Sequence, residues 1–478
     1  MACCVWRYWL PVCLAIVGVF ASSNTARAAW PNGPFVTSGR WIHDAAGSTV
    51  TYVGVNWPGS LDTMIPEGLQ YQSIQSIVSK IKSLGMNTIR LTYATEMVDQ
   101  YYDNGETDIT IQKTLTDALG HDDGKAVYDR IITNNPSFSE KTTRLQVYDA
   151  IAAECAKQEI FVHLDNHISK AGWCCSPLDG NSWWGDEFFN IDNWTRGLSF
   201  MATHGKSWPS LTSMSLRNEL RIPLNNVTFA SSSYSWERWY TYVKQGSSAI
   251  HTANGDVLIF LSGLNSDQDL SPVVNGTALT PGSATFNQDD FSGFANKLVL
   301  ELHAYDNIFG PGPSNCTAVE AELYNAGFKA LTDEAKNRFP VVLTEFGLVQ
   351  NDEAKQDPYI SCLLDYVPSA NAGWMIWEIG GSYYIREGTQ DQDESWGLLT
   401  HDWSDWRSPD FANNALTPAA KRTLTIDPNS ESNISPHTTS GDDKSRGTRM
   451  AVMRASALFD MPLSFLVAIL VGSVSVLK

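Results

Sequence analysis

The chain has 478 residues, with 52 acidic against 33 basic side chains for a net charge of −19, and 43% of it is hydrophobic. This composition describes a foldable globular protein with room for a large core, and its acidity disfavours nucleic acid or any other polyanion as a partner. Neutral polymers such as glucans or mannans meet no electrostatic objection.

In chain order, Arg7 precedes an apolar run from Trp9 to Phe20, and Ala26-Arg27-Ala28 follows as a small-x-small cleavage site. Residues 1–28 therefore read as a secretory signal peptide. At the other end Leu463–Leu477 is apolar over 15 residues, short of the ~20 that a spanning helix needs. Ser440-Gly441, the polar stretch Asp442–Arg454 and that apolar tail follow the order of a glycolipid-anchor signal, with a tail anchor as the alternative. The expected organisation is one catalytic domain over residues 29–426, a polar stalk over 427–454 and a hydrophobic signal over 455–478. Without residues 1–28 and 441–478, 49 acidic and 26 basic residues remain, a net charge of −23. The expected product is a secreted monomer, tethered to the cell surface or wall, whose contact with membrane is confined to the anchor or tail.

Five cysteines lie beyond the signal segment: Cys155, Cys174, Cys175, Cys316 and Cys362. An odd number leaves at least one thiol unpaired and allows at most two internal disulfides. Adjacent Cys174 and Cys175 close only a strained ring, so one of them is expected to reach elsewhere. Sequons at Asn193, Asn226, Asn275, Asn315 and Asn433 fit passage through a secretory pathway.

Short apolar, β-rich runs recur eight times: Thr51–Asn56, Thr88–Thr92, Ile160–Asp165, Leu211–Leu216, Val257–Ser262, Leu298–His303, Val341–Thr344 and Trp374–Trp377. Between them apolar residues recur at three and four over Ser73–Leu84, Leu145–Gln158, Trp194–His204, Ser235–His251, Ala318–Arg338 and Pro358–Val367. Eightfold alternation of strand and helix predicts a parallel (β/α)8 TIM barrel. Glu96–Thr143, with a helical patch at Ile111–Leu119, Ser169–Asn190 and Leu264–Asn296 are too long for simple turns and are expected to be loop insertions.

Barrel chemistry sits at the C-terminal ends of strands, and here those ends turn polar. They read Arg90 on strand two, Asp165-Asn166-His167 on three, Arg217-Asn218-Glu219 on four, His303-Ala304-Tyr305 on six, Thr344-Glu345 on seven and Trp377-Glu378 on eight. Glu219 and Glu345 thus occupy corresponding ends of strands four and seven. Paired carboxylates amid Arg, His, Tyr and Trp suit glycosidic hydrolysis, one protonated to donate to the leaving oxygen and the other ionised to attack. Glu301 and Glu378 are expected to be structural.

The chain resembles glycoside hydrolase family 5, the cellulase family of clan A. The resemblance is carried by Asn87-Thr88-Ile89-Arg90-Leu91, Leu164-Asp165-Asn166-His167, Ser215-Leu216-Arg217-Asn218-Glu219-Leu220, Leu302-His303-Ala304-Tyr305, Leu343-Thr344-Glu345-Phe346-Gly347 and Trp374-Met375-Ile376-Trp377, in the family's order over residues 30–425. The stretch through Cys174-Cys175-Ser176 and Asp179-Gly180-Asn181 looks like a eukaryotic branch with plant and fungal members. The resemblance implies a retaining mechanism with Glu219 as acid/base and Glu345 as nucleophile. It also implies that Asn218 meets the sugar 2-hydroxyl, Arg90 and Tyr305 hold Glu345, His167 and His303 line the reacting subsite, and Trp377 lies under the sugar ring. Retention requires the carboxyl groups ~5–5.5 Å apart, inversion ~6.5–9.5 Å. Many members place proline after the acid/base, whereas Leu220 stands here, which departs from the well-studied cellulase branches.

His163-x-Asp165-x-His167 offers alternate ligands on one strand face, but a satisfied core histidine is the ordinary outcome for His163, and no metal or cofactor is expected. Trp57, Trp173, Trp183, Trp184 and Trp396 fall in expected mouth loops, and two or three of them are expected to stack on sugars. The leading function is an endo-β-1,4-glucanase acting on a β-glucan. A wall-remodelling transglycosylase or exo-β-glycosidase on the same site, and a non-catalytic carbohydrate-binding wall protein, are the alternatives.

Overall fold

The computed structural model describes Met1 and residues 30–306 and 315–425. Apart from Met1, the expected signal peptide lies outside the described residues, as do the stalk, the hydrophobic C-terminal segment and the Asn433 sequon. Among the described residues no helix is long and apolar enough to cross a membrane.

Eight parallel strands close into a barrel: β1 (Val53–Trp57), β2 (Thr88–Ala94), β3 (Phe161–Ile168), β4 (Leu211–Ser215), β5 (Leu258–Leu261), β6 (Leu298–His303), β7 (Val341–Glu345) and β8 (Gly373–Ile376). Each pairs with its sequence neighbour, and β8 returns to β1. All eight lie where the apolar runs predict them, because strands buried on both faces read as continuous hydrophobic stretches.

The helices form where apolar spacing and caps coincide. Ile74–Ser83 buries Ile74, Ile77, Val78 and Ile81, and the Ser73 side chain accepts from the Ser76 amide at its start. Thr143 and Gln146 close a capping box that opens Arg144–Lys157. The pattern over Ala318–Arg338 makes a shorter helix, Cys316–Ala326, followed by a 3-10 turn at Phe328–Leu331. Gly327 follows the helix, and a Cβ there would stand 2.8 Å from Leu302 Cδ1, so a larger residue would require that side chain to shift.

The two ends of the barrel differ in kind. At the N-terminal end a three-stranded antiparallel sheet, Val36–Ser38, Trp41–His43 and Thr49–Val50, accompanies an apolar floor of Phe35, Ile42, Tyr52, Phe161, Leu258, Phe260, Val299, Val342 and Met375. Trp30 stacks on Phe161 at 5.3 Å. At the C-terminal end lie the insertions. Glu96–Thr143 contains most of three helices, Thr95–Asp103, Ile111–Leu119 and His121–Asn134, with irregular chain between and after them, and a buried Arg144–Asp108 ion pair of 2.7 Å ties its end back. A hairpin, Ser382–Arg386 with Thr389–Asp393, follows β8.

Two cysteine pairs are bonded, Cys316 with Cys362 and Cys174 with Cys175, and Cys155 is free and buried. The expectation that one member of the adjacent pair reaches elsewhere is thereby corrected: the helices of Cys316 and Cys362 pack together, so those two satisfy each other and leave Cys174 and Cys175 as mutual partners.

Candidate active site

Alternation along the strands sends every second side chain into the barrel. On β3 this places His163, Asp165 and His167 one above another, and on β6 Glu301 and His303. The lower layer is bonded largely within itself. His163 meets Ser213 Oγ at 2.8 Å and Ser215 Oγ at 2.7 Å, and burial lowers its pKa to about 3, so it is a neutral core histidine. Glu301 accepts from Ser215 and Thr344 at 2.9 and 3.1 Å. Glu378 accepts from the Tyr383 hydroxyl, and its buried carboxyl is pushed well above the usual range. Both glutamates are structural in their contacts.

Arg90 organises the layer above. Its guanidinium donates to Glu345 Oε1 at 2.5 Å, Asn56 Oδ1 at 2.9 Å and Asn218 Oδ1 at 2.7 Å, and pairs with Asp165 Oδ1 at 3.0 Å. Burial opposes its charge, but Asp165 and Glu345 more than restore it, and its pKa lies above the ordinary arginine value. Asp165 bonds His167 Nδ1 at 2.7 Å; against the cost of burial, Arg90 and His167 hold its pKa down at about 2. Glu345 receives a second bond, 3.0 Å from the Tyr305 hydroxyl.

Glu219 faces a different environment. His303 Nδ1 lies 3.0 Å from its Oε1, and burial lowers the His303 pKa to about 4, so a neutral imidazole rather than a cation meets the carboxyl. Burial raises the pKa of Glu219 itself, against the opposing pull of Arg221 and His167. One carboxylate oxygen of Glu219, one of Glu345 and a ring nitrogen of His303 all lie within 4.8 Å of one another. These three donors are grouped closely enough to hold an ion, but the fixed Arg90 guanidinium already sets a positive charge against Glu345, and paired-carboxylate chemistry needs no metal.

Asp267 was not legible as part of this site. The backbone at Glu219 is left-handed, with φ of +46°, a conformation costly for a residue with a Cβ. The Asp267 carboxylate accepts from the Glu219 amide at 2.8 Å, and the Asp267 carbonyl accepts from the His303 amide at 3.0 Å. Asp267 thus grips both residues of the Glu219–His303 pair. Burial, then Glu301, pushes its pKa well upward.

Trp377 closes one side, its ring parallel to His167 at 5.5 Å, with Trp173 edge-on at 6.4 Å. Trp396 packs near Tyr305 at 5.9 Å. Of the five mouth tryptophans only Trp173 and Trp396 keep surface here. Trp57, which ends β1 rather than lying in a mouth loop, is buried, as are Trp183 and Trp184, which leaves Trp173 and Trp396 as the candidates for stacking on sugars. Trp57 donates to Glu67 O at 3.0 Å, Trp183 donates to Ser233 O at 3.1 Å, and Trp184 packs against Trp194 and Tyr242. The insertions carry cores of their own.

The structure therefore gathers Arg90, His167, Asn218, Glu219, His303, Tyr305, Glu345 and Trp377 at one mouth. A (β/α)8 barrel with glutamates at the ends of β4 and β7, one held by arginine and tyrosine and the other by a neutral histidine, defines the class. A sequence model of the cellulase family, glycosyl hydrolase family 5, matches residues 44–382. A "Glycosyl hydrolase 5 family protein" of Chamaecyparis obtusa is 35% identical over 398 residues, 79% of this chain and 64% of that one, so the chain spans about two thirds of that relative's length. An "Endoglucanase" of Paenibacillus polymyxa is 23% identical over 80% of this chain and 87% of its own. Among solved structures, an endocellulase of Pyrococcus horikoshii in complex with cellotetraose superposes with a TM-score of 0.60 at 19% identity, covering 81% of this chain and 99% of that one. The major endoglucanase of Xanthomonas campestris gives 0.57 at 18%, covering 82% and 100%. The chain belongs to glycosyl hydrolase family 5.

Proposed function

We propose that the protein is a retaining β-glycosidase, acting as an endo-β-1,4-glucanase on a β-glucan. The observation that carries this reading is the pair Glu219 and Glu345, one oxygen of each within 4.8 Å of the other and in opposite surroundings, which supports the close spacing of a retaining pair.

In the first step Glu345, held by Arg90 and Tyr305, attacks the anomeric carbon. Glu219, whose burial favours the protonated form, gives its proton to the departing glycosidic oxygen. A glycosyl ester to Glu345 results. Glu219, now a carboxylate, takes a proton from water, which attacks the same carbon and releases Glu345. Asn218, between Arg90 and the mouth, would hold the sugar 2-hydroxyl, where bonds strengthen in the transition state. Trp377, His167 and Trp173 would flank the reacting sugar. The named endoglucanase relatives and the cellotetraose complex support a β-1,4-glucan over other polymers. Two disulfides and the signal-like residues 1–28 support export, and the C-terminal signal pattern supports a cell-surface tether.

The test is reducing-sugar release by the purified protein on β-1,4-, β-1,3- and mixed-linkage glucans and β-mannan, beside Glu345→Gln. Release from β-1,4-glucan that disappears in the variant supports the reading. Release only from another polymer moves the substrate, and silence of the folded protein on all of them sinks the hydrolase reading.

A further inference from the structure

The Cys174–Cys175 disulfide lies at the reacting centre. A sulfur of each cysteine and a Glu219 carboxylate oxygen fall within 4.8 Å of one another. Asn218 Nδ2 donates toward Cys175 Sγ at 3.4 Å and Cys174 Sγ at 3.6 Å, while its Oδ1 accepts from Arg90 at 2.7 Å. The amide is therefore fixed at both ends, with its oxygen on a cation and its nitrogen on sulfur.

The nature of the second partner matters. Sulfur is a weak acceptor, so it orients the NH2 group without fully satisfying it. Among the described residues Nδ2 has no other hydrogen-bond partner than these two sulfurs. An oxygen acceptor in their place would compete with a substrate hydroxyl for the same N–H groups.

The loop that carries the pair is pinned on both sides, so the sulfurs are held where they act. On one side Trp173 lies under the Arg386 guanidinium at 3.4 Å. On the other, Arg221 donates to Ser176 O at 3.0 Å and pairs with Asp179 at 2.5 Å, and the Leu224 amide donates to Pro177 O at 2.8 Å. Arg221 also donates to the Glu219 carbonyl at 2.9 Å, joining this loop to the segment that carries the acid/base.

We propose that the Cys174–Cys175 disulfide is a positioning element of the sugar-binding site, holding the Asn218 amide with its nitrogen free enough to bind the 2-hydroxyl of the reacting sugar. This rests on the glycosidase reading above. The disulfide touches no reacting bond; it acts through Asn218.

The test compares an aryl β-cellobioside with the analogue lacking the 2-hydroxyl on the reacting ring, using the wild type, the double variant Cys174→Ala with Cys175→Ala, Asn218→Ala and the triple variant. The double variant is expected to lose about thirtyfold in kcat/KM on the hydroxylated substrate, mostly in kcat, and less than about threefold on the deoxy analogue. In the Asn218→Ala background the cysteine changes are expected to cost nothing further, since the pair acts through that residue. Equal losses on both substrates, or no loss on either, would overturn the proposal and leave the glycosidase reading intact. A wild type silent on both would overturn that reading and the proposal with it. If the double variant does not fold, a phosphine with water reduces the disulfides of the native protein to thiols, and the variant Cys316→Ala with Cys362→Ala, treated alike, isolates the effect of the Cys174–Cys175 pair. The same selective loss, reversed on reoxidation, is then expected, and an unselective loss would count against the proposal.

Discussion

The floor and the mouth of this barrel are built from opposite ends of the same eight strands, and they solve different problems. At the floor Phe161, Tyr52, Phe35 and Phe260 meet edge to face, and the one polar group among them, the Tyr52 hydroxyl, donates to Thr212 at 2.8 Å. At the mouth Arg90, Asp165, Glu219, Glu301, His303 and Glu345 are buried together, and buried side-chain atoms of Asp267, Glu301 and His303 have no hydrogen-bond partner among the described residues. The floor gains from removing apolar area from water; the mouth sets charges against one another at a cost in stability. Stability and chemistry are thus separated along the strand axis, and substitutions at the two ends are expected to separate in the same way.

The largest expected effect is at the mouth. Glu345→Gln is expected to lower kcat on a β-glucan by about ten-thousandfold or more, with thermal stability preserved or raised, measured by steady-state kinetics beside calorimetry. A comparable loss of stability would mean that the ends are not separable. The converse at the floor is Phe161→Ala, expected to cost about 3–5 kcal/mol of stability with kcat of the folded fraction unchanged, as read by denaturant unfolding and by kinetics well below the new Tm.

Asp267 sharpens the comparison because it is buried and holds Glu219, the proposed acid/base, through the Glu219 amide. Asp267→Ala is expected to lower kcat about a hundredfold on substrates with a poor leaving group and far less on an activated aryl glycoside, whose departure needs little proton donation. Asp267→Asn keeps an acceptor for the Glu219 amide and is expected to retain most activity. Equal losses for both leaving groups would remove Asp267 from the acid's support.

The smallest effect is on pH dependence. Burial raises Glu301 to about 7 and pushes Glu67, Glu378 and Asp267 upward as well. A raised carboxyl stabilises the fold fully below its unfolded value and loses that contribution as pH rises through its folded one. Tm is therefore expected to fall between about pH 5 and about pH 8, and Glu301→Gln to flatten part of that fall. Asp165 has the opposite sign: its contribution is lost only as pH drops toward about 2. A Tm that rises over the neutral range would contradict these directions.

The barrel was legible because each strand changes from an apolar run to polar residues at its C-terminal end, so the same positions reveal the fold and the mouth. Glu219 and Glu345 were found by that change. Asp267 was not, because it stands beyond the end of β5 in a run of left-handed residues, Asn265, Ser266 and Asp267, where no periodicity exists to mark it. Trp183 and Trp184 lie in the expected insertion, but their burial was not legible for a related reason: an insertion with its own core hides aromatic side chains, and sequence order does not show which of them stay exposed. The bonding of Cys174 to Cys175 depends on which helices bring Cys316 and Cys362 together, and spacing along the chain carries no record of that.

The most direct test of the paired-carboxylate account is the anomeric configuration of the first product released from a β-glucan oligosaccharide, followed by proton NMR before mutarotation. The account predicts a β-configured product, formed by two displacements through Glu345. An α-configured first product would mean a single displacement by water and would contradict it.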